Sequence, residues 1–367
     1  MRPVRILVDA IHARSGGGVT QLRNLLIQLA NDDEFEVHVV LHADQRALLD
    51  LPGQIAWHEV TFRNGFYKRL MWEQFSLPSF ARRIGAEVTY AQANYGPLLA
   101  PGLVISLVNT TEVSRGEKRL AKRLYWAALS IMTLVSVLAA RRVIAISEHV
   151  ARTLVPFDFV WRKVTIIPPG IDPCFFAPDR ATNREQFLLA VGDFYVQKNY
   201  PRLADAFARL APHFPELRLW IAGDVIDQHQ ADIIQATASR HGVAHRITVL
   251  GRQDRDQLVD LYRRCAVFVF PSTAEAFGIP LAEAMAAGAP IAASNRSAVP
   301  EVAGPAAEYF DPANPAEMAD VIERVLTDAA LRQRLATAGA ERSIQFDRGK
   351  VASAIAGVFK LAAGRSI

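Results

Sequence analysis

The chain has 367 residues, of which 51% are hydrophobic and 21% are charged, a balance typical of folded globular proteins and not of disordered ones. This length exceeds what one hydrophobic core usually organises, so two domains are expected. The net charge is +4, and the two widely separated cysteines, Cys174 and Cys265, exclude a disulfide-rich scaffold and favour buried thiols in a reducing cytoplasm.

The first half of the chain reads as strands alternating with helices. The sequence MRPVRILVDA enters a strand pattern at once, which argues against a signal peptide. A glycine triplet, Gly16-Gly17-Gly18, follows that strand and precedes a helical pattern over residues 19–30. Apolar runs bounded by turn residues predict strands over residues 6–9, 37–41, 104–108, 143–147 and 164–168.

Basic residues are concentrated in this half. Residues 1–180 contain 21 Lys and Arg against 16 Asp and Glu, whereas residues 181–367 contain 20 against 21. The excess lies mainly in residues 115–123 and in residues 63–83, where the aromatic residues Phe66, Tyr67, Trp72 and Phe75 are interleaved. Such stretches are typical of a surface that meets an anionic membrane or nucleic acid, or of a solvated helix face.

A nearly uncharged segment, residues 124–140, follows the second basic stretch and resembles a membrane span. It has 17 residues, and it contains Ser130, Thr133 and Ser136. A spanning helix needs about 20 apolar residues. Two arginines and a strand pattern end the segment. We therefore predict a helix that is buried or lies at an interface, in preference to a membrane span.

The second half repeats the alternation, with strands predicted over residues 187–192, 217–223, 247–251, 267–271 and 290–294. Because these runs are apolar on both faces and are spaced by helices, each half fits a parallel, doubly wound α/β sheet. The turn-rich segment 168–173, with Pro178 shortly after it, separates the halves. We predict domains at residues 1–175 and 176–346, facing a central cleft lined by strand ends.

The most informative motif, PSTAEAFGIPLAEAM, begins at Pro271, where a predicted strand ends. Pro280 suits the first turn of a helix and Gly278 allows close approach to the backbone, so residues 276–279 would offer N–H groups to an anion. Glu283 would lie in the first helical turn, suited to accept from the two hydroxyls of a ribose. Glu275, on the loop, could accept from a transferred sugar. Taken alone, the two glutamates would equally fit a helix cap and a surface charge.

This motif resembles that of the retaining glycosyltransferase family 4, whose members have the GT-B architecture of two Rossmann-like domains. The resemblance extends to VG and KN within residues 191–199, to IAGD at residues 221–224 and to VPEVAG at residues 299–304. The residues PGID and FAP, within 169–178, match the interdomain signature of the family. In total the resemblance covers most of residues 140–345, whereas the first 140 residues resemble the family only weakly.

The resemblance implies a donor site in the second half. Lys198 would reach the diphosphate of a sugar nucleotide and Glu275 the transferred sugar, which makes these two the expected catalytic residues. Glu283 would bind the ribose. The backbone of three consecutive residues would contact sugar and phosphate, namely Phe277, Gly278 and Ile279.

The resemblance also assigns roles in the first half and at the end of the chain. Gly17 and Gly18 would form a turn directed at the donor phosphates. Residues 347–367 contain a helical pattern with apolar residues, and this helix would pack back on the N-terminal domain.

One departure from the family concerns the phosphate cations. Members commonly carry an Arg near the lysine, whereas this chain has Asp193 and Gln197 there. Arg252, with Arg14 as the alternative, is the candidate for the second cation. We expect no metal and no other cofactor.

The other departure concerns the acceptor. Many members carry a His near the sugar where this chain has Asn109, so no side-chain base is expected and the leaving phosphate would take the acceptor's proton. His12 and His149 fit structural roles better than catalytic ones. We assign Asn109 and Tyr95 to the acceptor side.

Together these features predict a retaining hexosyltransferase that uses a sugar nucleotide. GDP-mannose is preferred, by likeness to O-antigen mannosyltransferases, and a UDP-linked glucose, galactose or N-acetylglucosamine is the alternative. The basic, aromatic-rich stretches predict a peripheral cytoplasmic protein at the anionic inner face of the plasma membrane, acting on a lipid-linked saccharide of a bacterial surface polysaccharide.

Two other functions fit the sequence less well. A sugar-nucleotide epimerase of the same fold would need an acid–base pair that the sequence does not show. A nucleic-acid-binding protein is disfavoured, because RNA-binding motifs are absent and the second half is nearly neutral.

Overall fold

The computed structural model describes residues 2–14, 16–49, 51, 54–61, 65–110, 120–176 and 184–365. Contacts divide the chain into two units, Met1–Gly170 with Arg348–Ile367, and Ile171–Asp347. Each unit is built on a parallel sheet with helices, so the predicted fold class, two Rossmann-like α/β domains, is confirmed. The chain leaves the first unit five residues before the predicted boundary and returns to it at Arg348. Pro178 lies outside the described residues.

The sheet of the first unit contains seven strands, which are β1 (Val4–Asp9), β2 (Phe35–His42), β3 (Ile55–Val60), β4 (Val88–Ala91), β5 (Leu103–Leu107), β6 (Arg142–Ala145) and β7 (Val164–Ile166). Their order is β3-β2-β1-β4-β5-β6-β7, and all neighbours are parallel. The order reverses between β1 and β4, which is where sheets of this kind open a ligand crevice at their carboxyl edge.

The helices of this unit up to the crossing point are α1 (Gly16–Ala30), α2 (Ala43–Leu49), α3 (Phe66–Met71), α4 (Leu77–Arg83), α5 (Leu120–Ala139), α6 (Glu148–Leu154) and α7 (Asp158–Trp161). A π-helical turn, Trp72–Ser76, joins α3 to α4, so residues 66–83 form one continuous helical segment. Such π-turns often lie at functional sites because they redirect side chains.

The sheet of the second unit contains six strands, which are β8 (Glu185–Val191), β9 (Arg218–Ala222), β10 (Ile247–Gly251), β11 (Cys265–Phe270), β12 (Ile291–Ser294) and β13 (Ala307–Phe310). Their order is β10-β9-β8-β11-β12-β13, and all neighbours are parallel. The switch point lies between β8 and β11, both of which are flanked on each side. The accompanying helices are α8 (Tyr200–Leu210), α9 (Gln228–Arg240), α10 (Arg255–Arg264), α11 (Ile279–Ala286), α12 (Val299–Ala303), α13 (Pro315–Thr327) and α14 (Ala329–Ser343).

The last helix, α15 (Arg348–Ala362), packs into the core of the first unit. Phe359 is fully buried, and its ring meets Tyr90 of β4 edge-to-face with the centroids 5.1 Å apart. Val351 and Val358 belong to the same buried cluster as Leu25 of α1. The core of the first unit is therefore built from both ends of the chain.

All ten predicted strands are present, with ends displaced by a few residues, and β3, β4 and β13 were not predicted. β3 is an edge strand with mostly half-buried residues, and the apolar runs of β4 and β13 are interrupted by Thr89 and Glu308. Edge strands and interrupted strands give weak apolar runs.

The glycine triplet is not a separate turn, which corrects the prediction for Gly17 and Gly18. Helix α1 begins at Gly16, so both glycines lie in its first turn. The first four N–H groups of a helix have no acceptor within the helix. Few helical hydrogen bonds therefore depend on this turn, and glycine is tolerated there. The triplet therefore places its backbone N–H groups at a helix N-terminus, where the helix itself supplies no acceptor for them.

Helix α5 forms as predicted, but of the two settings predicted for it, buried or at an interface, the first is not observed. The stretch Lys122–Ala139 has a mean hydropathy of 1.2 and only 17% of it is buried, so by length and composition it is also able to cross a membrane. Thr133, Ser136 and Val137 face inward. The exposed apolar side chains are Leu120, Leu124, Tyr125, Ile131, Val135 and Leu138. Composition cannot distinguish a helix that is apolar for a protein core from one that is apolar for an interface, and of the two predicted settings the interface is the one that fits.

Candidate functional site

Lys198 and Glu275 meet at the switch point of the second sheet. Lys198 lies in the loop after β8, and Glu275 lies in the loop after β11, the neighbouring strand. The Lys198 Nζ atom is 2.7 Å from Oε1 of Glu275, and each side chain is 14% exposed. The two predicted catalytic residues are thus brought together, 77 positions apart in sequence, as a partly buried ion pair.

The position of Lys198 is fixed by its neighbour Asn199. This residue is buried and has a left-handed backbone (φ 59°), which asparagine tolerates better than most residues. Its side-chain amide donates to the carbonyl oxygens of Pro271 and Pro312, at 3.1 and 2.8 Å. The loop after β8 is therefore tied to the loops after β11 and β13, which holds Lys198 at the sheet edge.

Close packing beneath the lysine leaves no room for a side chain at residue 192. Gly192 has φ 144°, and a Cβ atom there would lie 2.9 Å from Cε of Lys198 and 3.2 Å from the hydroxyl of Tyr200. That hydroxyl donates to the Gly192 carbonyl oxygen at 2.8 Å. The glycine that the sequence motif contains is thus required for the lysine to lie across the end of β8.

Helix α11 begins at the predicted anion-binding loop. Gly278 precedes its first residue, Ile279, with φ 95°, and a Cβ atom there would press on the Phe270 ring at 3.1 Å. Pro280 lies in the first turn, as predicted. Phe277 is buried against Phe346, with an edge-to-face centroid distance of 5.2 Å. The Phe277 side chain therefore anchors the loop, and only its backbone is suited to a ligand.

Glu283 lies in the second turn of the same helix, not in the first as predicted, and it is partly buried. Burial raises the pKa of its carboxyl group to about 7, partly offset by the hydrogen bond that Tyr262 donates at 3.1 Å. Arg255, which pairs with Asp172 at 2.9 Å, lowers that pKa further and Asp172 raises it. The sequence interpretation missed Tyr262, Arg255 and Asp172 as partners, because a residue on an amphipathic helix such as α10 gives no sign of which carboxylate it meets.

Arg252 is not part of this group. It follows β10, the edge strand, its side chain is 78% exposed, and it pairs with Asp224 at 3.7 Å. Asp193 in turn accepts a hydrogen bond from the Asp224 backbone N–H at 3.0 Å. Arg252 therefore has a carboxylate partner of its own, and its role as second phosphate cation stays a prediction.

The predicted residues of the first unit lie at the carboxyl edge of its sheet. Gly17 and Gly18 occupy the start of α1, after β1. Asn109 is exposed after β5, and its backbone is held by the side chain of Asn94, which accepts from the Val108 N–H at 2.8 Å and the Asn109 N–H at 3.2 Å.

Tyr95 is buried, and its hydroxyl accepts from Arg69 at 3.4 Å. Burial raises the Tyr95 pKa to about 12. His12 meets the Tyr95 ring edge-to-face at 5.3 Å. Tyr95 thus belongs to a polar group that the sequence interpretation did not recognise as one.

Solved structures match the whole chain. A glycosyltransferase from Rickettsia africae superposes with a TM-score of 0.75 at 14% identity, over 99% of both chains. HepE from Anabaena, solved in complex with UDP-glucose, superposes with a TM-score of 0.73 at 19% identity, over 96% of this chain and 98% of that one. The fold is therefore that of the GT-B glycosyltransferases, as predicted.

Sequence comparisons identify the family. The model for Glycosyltransferase Family 4 matches residues 15–175, and the model for Glycosyl transferases group 1 matches residues 175–342. The serotype-specific mannosyltransferase WbdA of Escherichia coli is 27% identical over 210 residues, which are 57% of this chain and 24% of WbdA. This chain spans about a quarter of the length of WbdA and about half that of other curated relatives. The chain belongs to glycosyltransferase family 4, as the resemblance predicted.

Proposed function

We propose that the protein is a retaining glycosyltransferase that moves a hexose from a sugar nucleotide to a lipid-linked saccharide. The observation that carries this proposal is the grouping of Lys198 and Glu275 at the switch point, with Glu283 on the helix that follows. A sugar nucleotide presents a diphosphate, a hexose and a ribose. Lys198 supplies a cation for the diphosphate, Glu275 a carboxylate for the hexose and Glu283 a carboxylate for the ribose.

The ion pair suggests how the donor is held. A diphosphate would attract Lys198 away from Glu275, and the released Glu275 oxygens would accept from hydroxyls of the hexose. Each hydrogen bond to a charged group contributes about 1.5–3 kcal/mol. Because Lys198 and the backbone N–H groups of Gly278 and Ile279 at the start of α11 supply positive charge, we propose that no metal is required.

The reaction places its developing charge beside Lys198. The bond between the anomeric carbon and the phosphate oxygen breaks, and its electron pair goes to the leaving diphosphate. The acceptor oxygen bonds to the same face of the sugar, and its proton passes to a phosphate oxygen. Lys198 stabilises the leaving group most strongly after the bond has lengthened, which accelerates the reaction and not only binding.

Two donors remain in consideration. The likeness to WbdA, a mannosyltransferase by name, supports mannose from GDP-mannose as the first choice. The fold likeness to HepE, which was solved with UDP-glucose, keeps a UDP-hexose as the alternative.

The acceptor proposal rests on the exposed surface of the first unit. Helix α5 exposes six large apolar side chains, five of them after Lys122 and Arg123, and the segment 66–83 exposes Tyr67, Met71 and Phe75. Arg63 and residues 115–119, including Lys118 and Arg119, lie outside the described residues. Apolar side chains beside basic ones fit an anionic lipid surface. We therefore propose a peripheral protein at the cytoplasmic membrane face, with no nucleic-acid partner.

Nucleotide binding and turnover test the donor site. Thermal unfolding in GDP, UDP and ADP should show stabilisation by the correct diphosphate, because a ligand of the folded state stabilises it by mass action. Lys198→Ala should lower release of labelled sugar from GDP-mannose or UDP-glucose about a hundredfold, whereas Lys350→Ala, an exposed lysine, should not. Stabilisation by no nucleotide would refute the proposal. Conversion of the sugar nucleotide to its epimer would favour the epimerase instead.

Co-sedimentation with phosphatidylglycerol vesicles tests the membrane surface. Lys122→Ser with Arg123→Ser should weaken binding about thirtyfold at low salt, at about 1 kcal/mol for each charge. The matched control, Arg218→Ser with Arg240→Ser, removes two exposed charges of the second unit and should have no effect. Salt-insensitive or absent binding by the unmodified protein would contradict the membrane proposal and leave the donor site untouched.

A further inference from the structure

A buried polar cluster lies at the carboxyl end of β1 in the first unit. It consists of Asp9, His12, Arg69, Glu73 and Tyr95, and we call it the Asp9 cluster. Asp9 and Glu73 are each 1% exposed, and one ligand atom from each of Asp9, His12 and Glu73 lies within 4.8 Å of the others. Nε2 of His12 is 2.8 Å from Oε1 of Glu73, and Nε of Arg69 is 3.6 Å from the same oxygen.

The cluster contains hydrogen-bond acceptors that the described part of the protein leaves unused. Oδ1 of Asp9 accepts from the Ile11 backbone N–H at 3.1 Å, but Oδ2 is buried with no hydrogen-bond partner. Oε1 of Glu73 is held by His12 and Arg69, whereas Oε2 is buried and has no hydrogen-bond partner among the described residues. A buried carboxylate without hydrogen bonds costs folding free energy, so an arrangement of this kind points to a missing donor.

His12 and Arg69 are the members of the cluster with partly exposed side chains, and of these two His12 has a ring nitrogen to offer a ligand. Its side chain is 16% exposed, and Nε2 is directed at Glu73. Nδ1 makes no hydrogen bond with the residues that the structure describes, and it is not among the buried unpaired atoms. Burial lowers the His12 pKa, but the hydrogen bond and charge of Glu73 outweigh this effect and raise it. Glu73 therefore accepts from Nε2 and orients the ring, and Nδ1 is left for a ligand, as a donor when the ring is protonated and as an acceptor when it is neutral.

The charges of the cluster indicate which ligand it fits. Once Asp9 is ionised, two carboxylates face one guanidinium and one imidazole, so the charges nearly cancel and a phosphate gains little. A cation would be repelled by Arg69, which lies beside Glu73. Hydroxyl groups both donate to carboxylates and accept from an imidazole N–H. The cluster thus suits an uncharged, hydroxyl-rich molecule.

The same helical segment connects the cluster to the exposed apolar surface. Arg69 and Glu73 point into the cluster, whereas Tyr67, Met71 and Phe75 are exposed on the same turns. Gln74 binds the Gly96 carbonyl oxygen at 3.0 Å, and Ser136 of α5 accepts from the Gly96 N–H at 3.2 Å. A sugar bound at the cluster would therefore lie next to the surface proposed to contact lipid.

We propose that the Asp9 cluster binds hydroxyl groups of the saccharide acceptor, with His12 contacting the sugar and Glu73 and Asp9 positioning His12. This inference rests on the proposed function and assigns its acceptor subsite. It gives His12 a binding role where the sequence interpretation favoured a structural one.

The test uses the full chain and octyl glycosides of mannose, glucose, galactose and N-acetylglucosamine as probes. Carbethoxylation of His12 by diethyl pyrocarbonate, followed by peptide mapping, reports contact with the ring independently of turnover. At least one glycoside should slow modification of His12 several-fold, and octyl phosphate should not. Protection by no glycoside, or equal protection by octyl phosphate, would overturn the inference.

Variants give the second readout. His12→Gln should raise the KM for the protective glycoside severalfold, through loss of one hydrogen bond, and leave the Kd for GDP or UDP unchanged. His38→Gln is the matched control, because His38 also pairs with a glutamate, Glu36, at 3.1 Å in the same sheet. Glu73→Gln should raise the same KM. If this variant does not fold, His12→Gln decides the question, because His12 is partly exposed and its replacement disturbs the core less.

Equal effects of His12→Gln and His38→Gln would show that the cluster is only structural. Nucleotide binding is measured in the same samples. If the unmodified protein bound neither GDP nor UDP, the proposed function itself would be refuted. Intact nucleotide binding without glycoside protection would refute the acceptor subsite alone.

Discussion

The buried carboxyl group of Glu283 makes nucleotide affinity depend on pH. Its pKa is raised to about 7 by burial, from 4.5 for an unperturbed glutamate. Keeping it ionised in the nucleotide-free protein therefore costs about 3 kcal/mol. Two ribose hydroxyls that donate to the ionised carboxylate would together contribute about 3–6 kcal/mol. Binding should thus favour the ionised form and lower its pKa.

The expected change follows from the ionised fraction. About one-tenth of Glu283 is ionised at pH 6 and about nine-tenths at pH 8, so the affinity for GDP or UDP should rise about tenfold over this range and then level off. The measurement is titration calorimetry at pH 6, 7 and 8. Glu283→Gln is the control, because it keeps every other titrating group, including those of the nucleotide itself.

A second control removes the donors instead of the acceptor. The 2′-deoxynucleotide lacks one of the two hydroxyls, so its affinity should depend on pH less steeply than that of the ribonucleotide. Identical pH profiles for the unmodified protein and Glu283→Gln would refute the assignment of Glu283 to the ribose. The pH dependence of binding would then come from another titrating group.

Three further predictions concern turnover and stability. Glu275→Ala should reduce turnover about a hundredfold in steady-state kinetics while the Kd for the nucleoside diphosphate stays nearly unchanged, because Glu275 addresses the sugar; equal losses in both would contradict this role. Phe359→Ala should lower the free energy of unfolding by about 3–5 kcal/mol in denaturant titrations, and deletion of residues 347–367 should cost more, since α15 fills the core of the first unit. An unchanged Tm for the deletion would refute that view. Burial and the charge of Glu73 raise the Asp9 pKa from 3.8 to about 7, so the folded state holds this proton and loses stability as pH rises between these values. Asp9→Asn should therefore be the more stable protein at pH 8, by up to about 4 kcal/mol, with little gain at pH 4, and an equal effect at both would disprove it.

The donor residues could be predicted from the sequence because they lie in one short motif with local structural consequences. Glu275, Gly278, Pro280 and Glu283 are spaced along a loop and the start of a helix, so their placement follows from strand and helix geometry. Lys198 was reached only through the family pattern. Its contact with Glu275 joins two loops that no local rule relates.

The Asp9 cluster could not be predicted, because its members come from separate parts of the first unit. Asp9 ends β1, Glu73 lies in a π-helical turn, and Tyr95 follows β4. Helical periodicity places Glu73 on a particular face only if the helix is regular, and the π-turn shifts that face. Of its members, the sequence pointed only to Tyr95, as an acceptor-side residue.

The surface of α5 shows a different limit. Its sequence is apolar enough for a core, and the first unit buries only the side near Ser136. Hydropathy measures transfer out of water and does not name the medium that receives the side chain. Only the packing against β5 and Gly96 distinguishes these possibilities.

The return of the chain to the first unit has a consequence for biosynthesis. Residues 171–347 are contiguous and contain their whole core, so this unit can fold as soon as its last helix leaves the ribosome. The core around Phe359 and Tyr90 is complete only after α15 has been made. The first unit is thus synthesised first but completes its folding last. The apolar face of its sheet stays uncovered by α15 until translation ends.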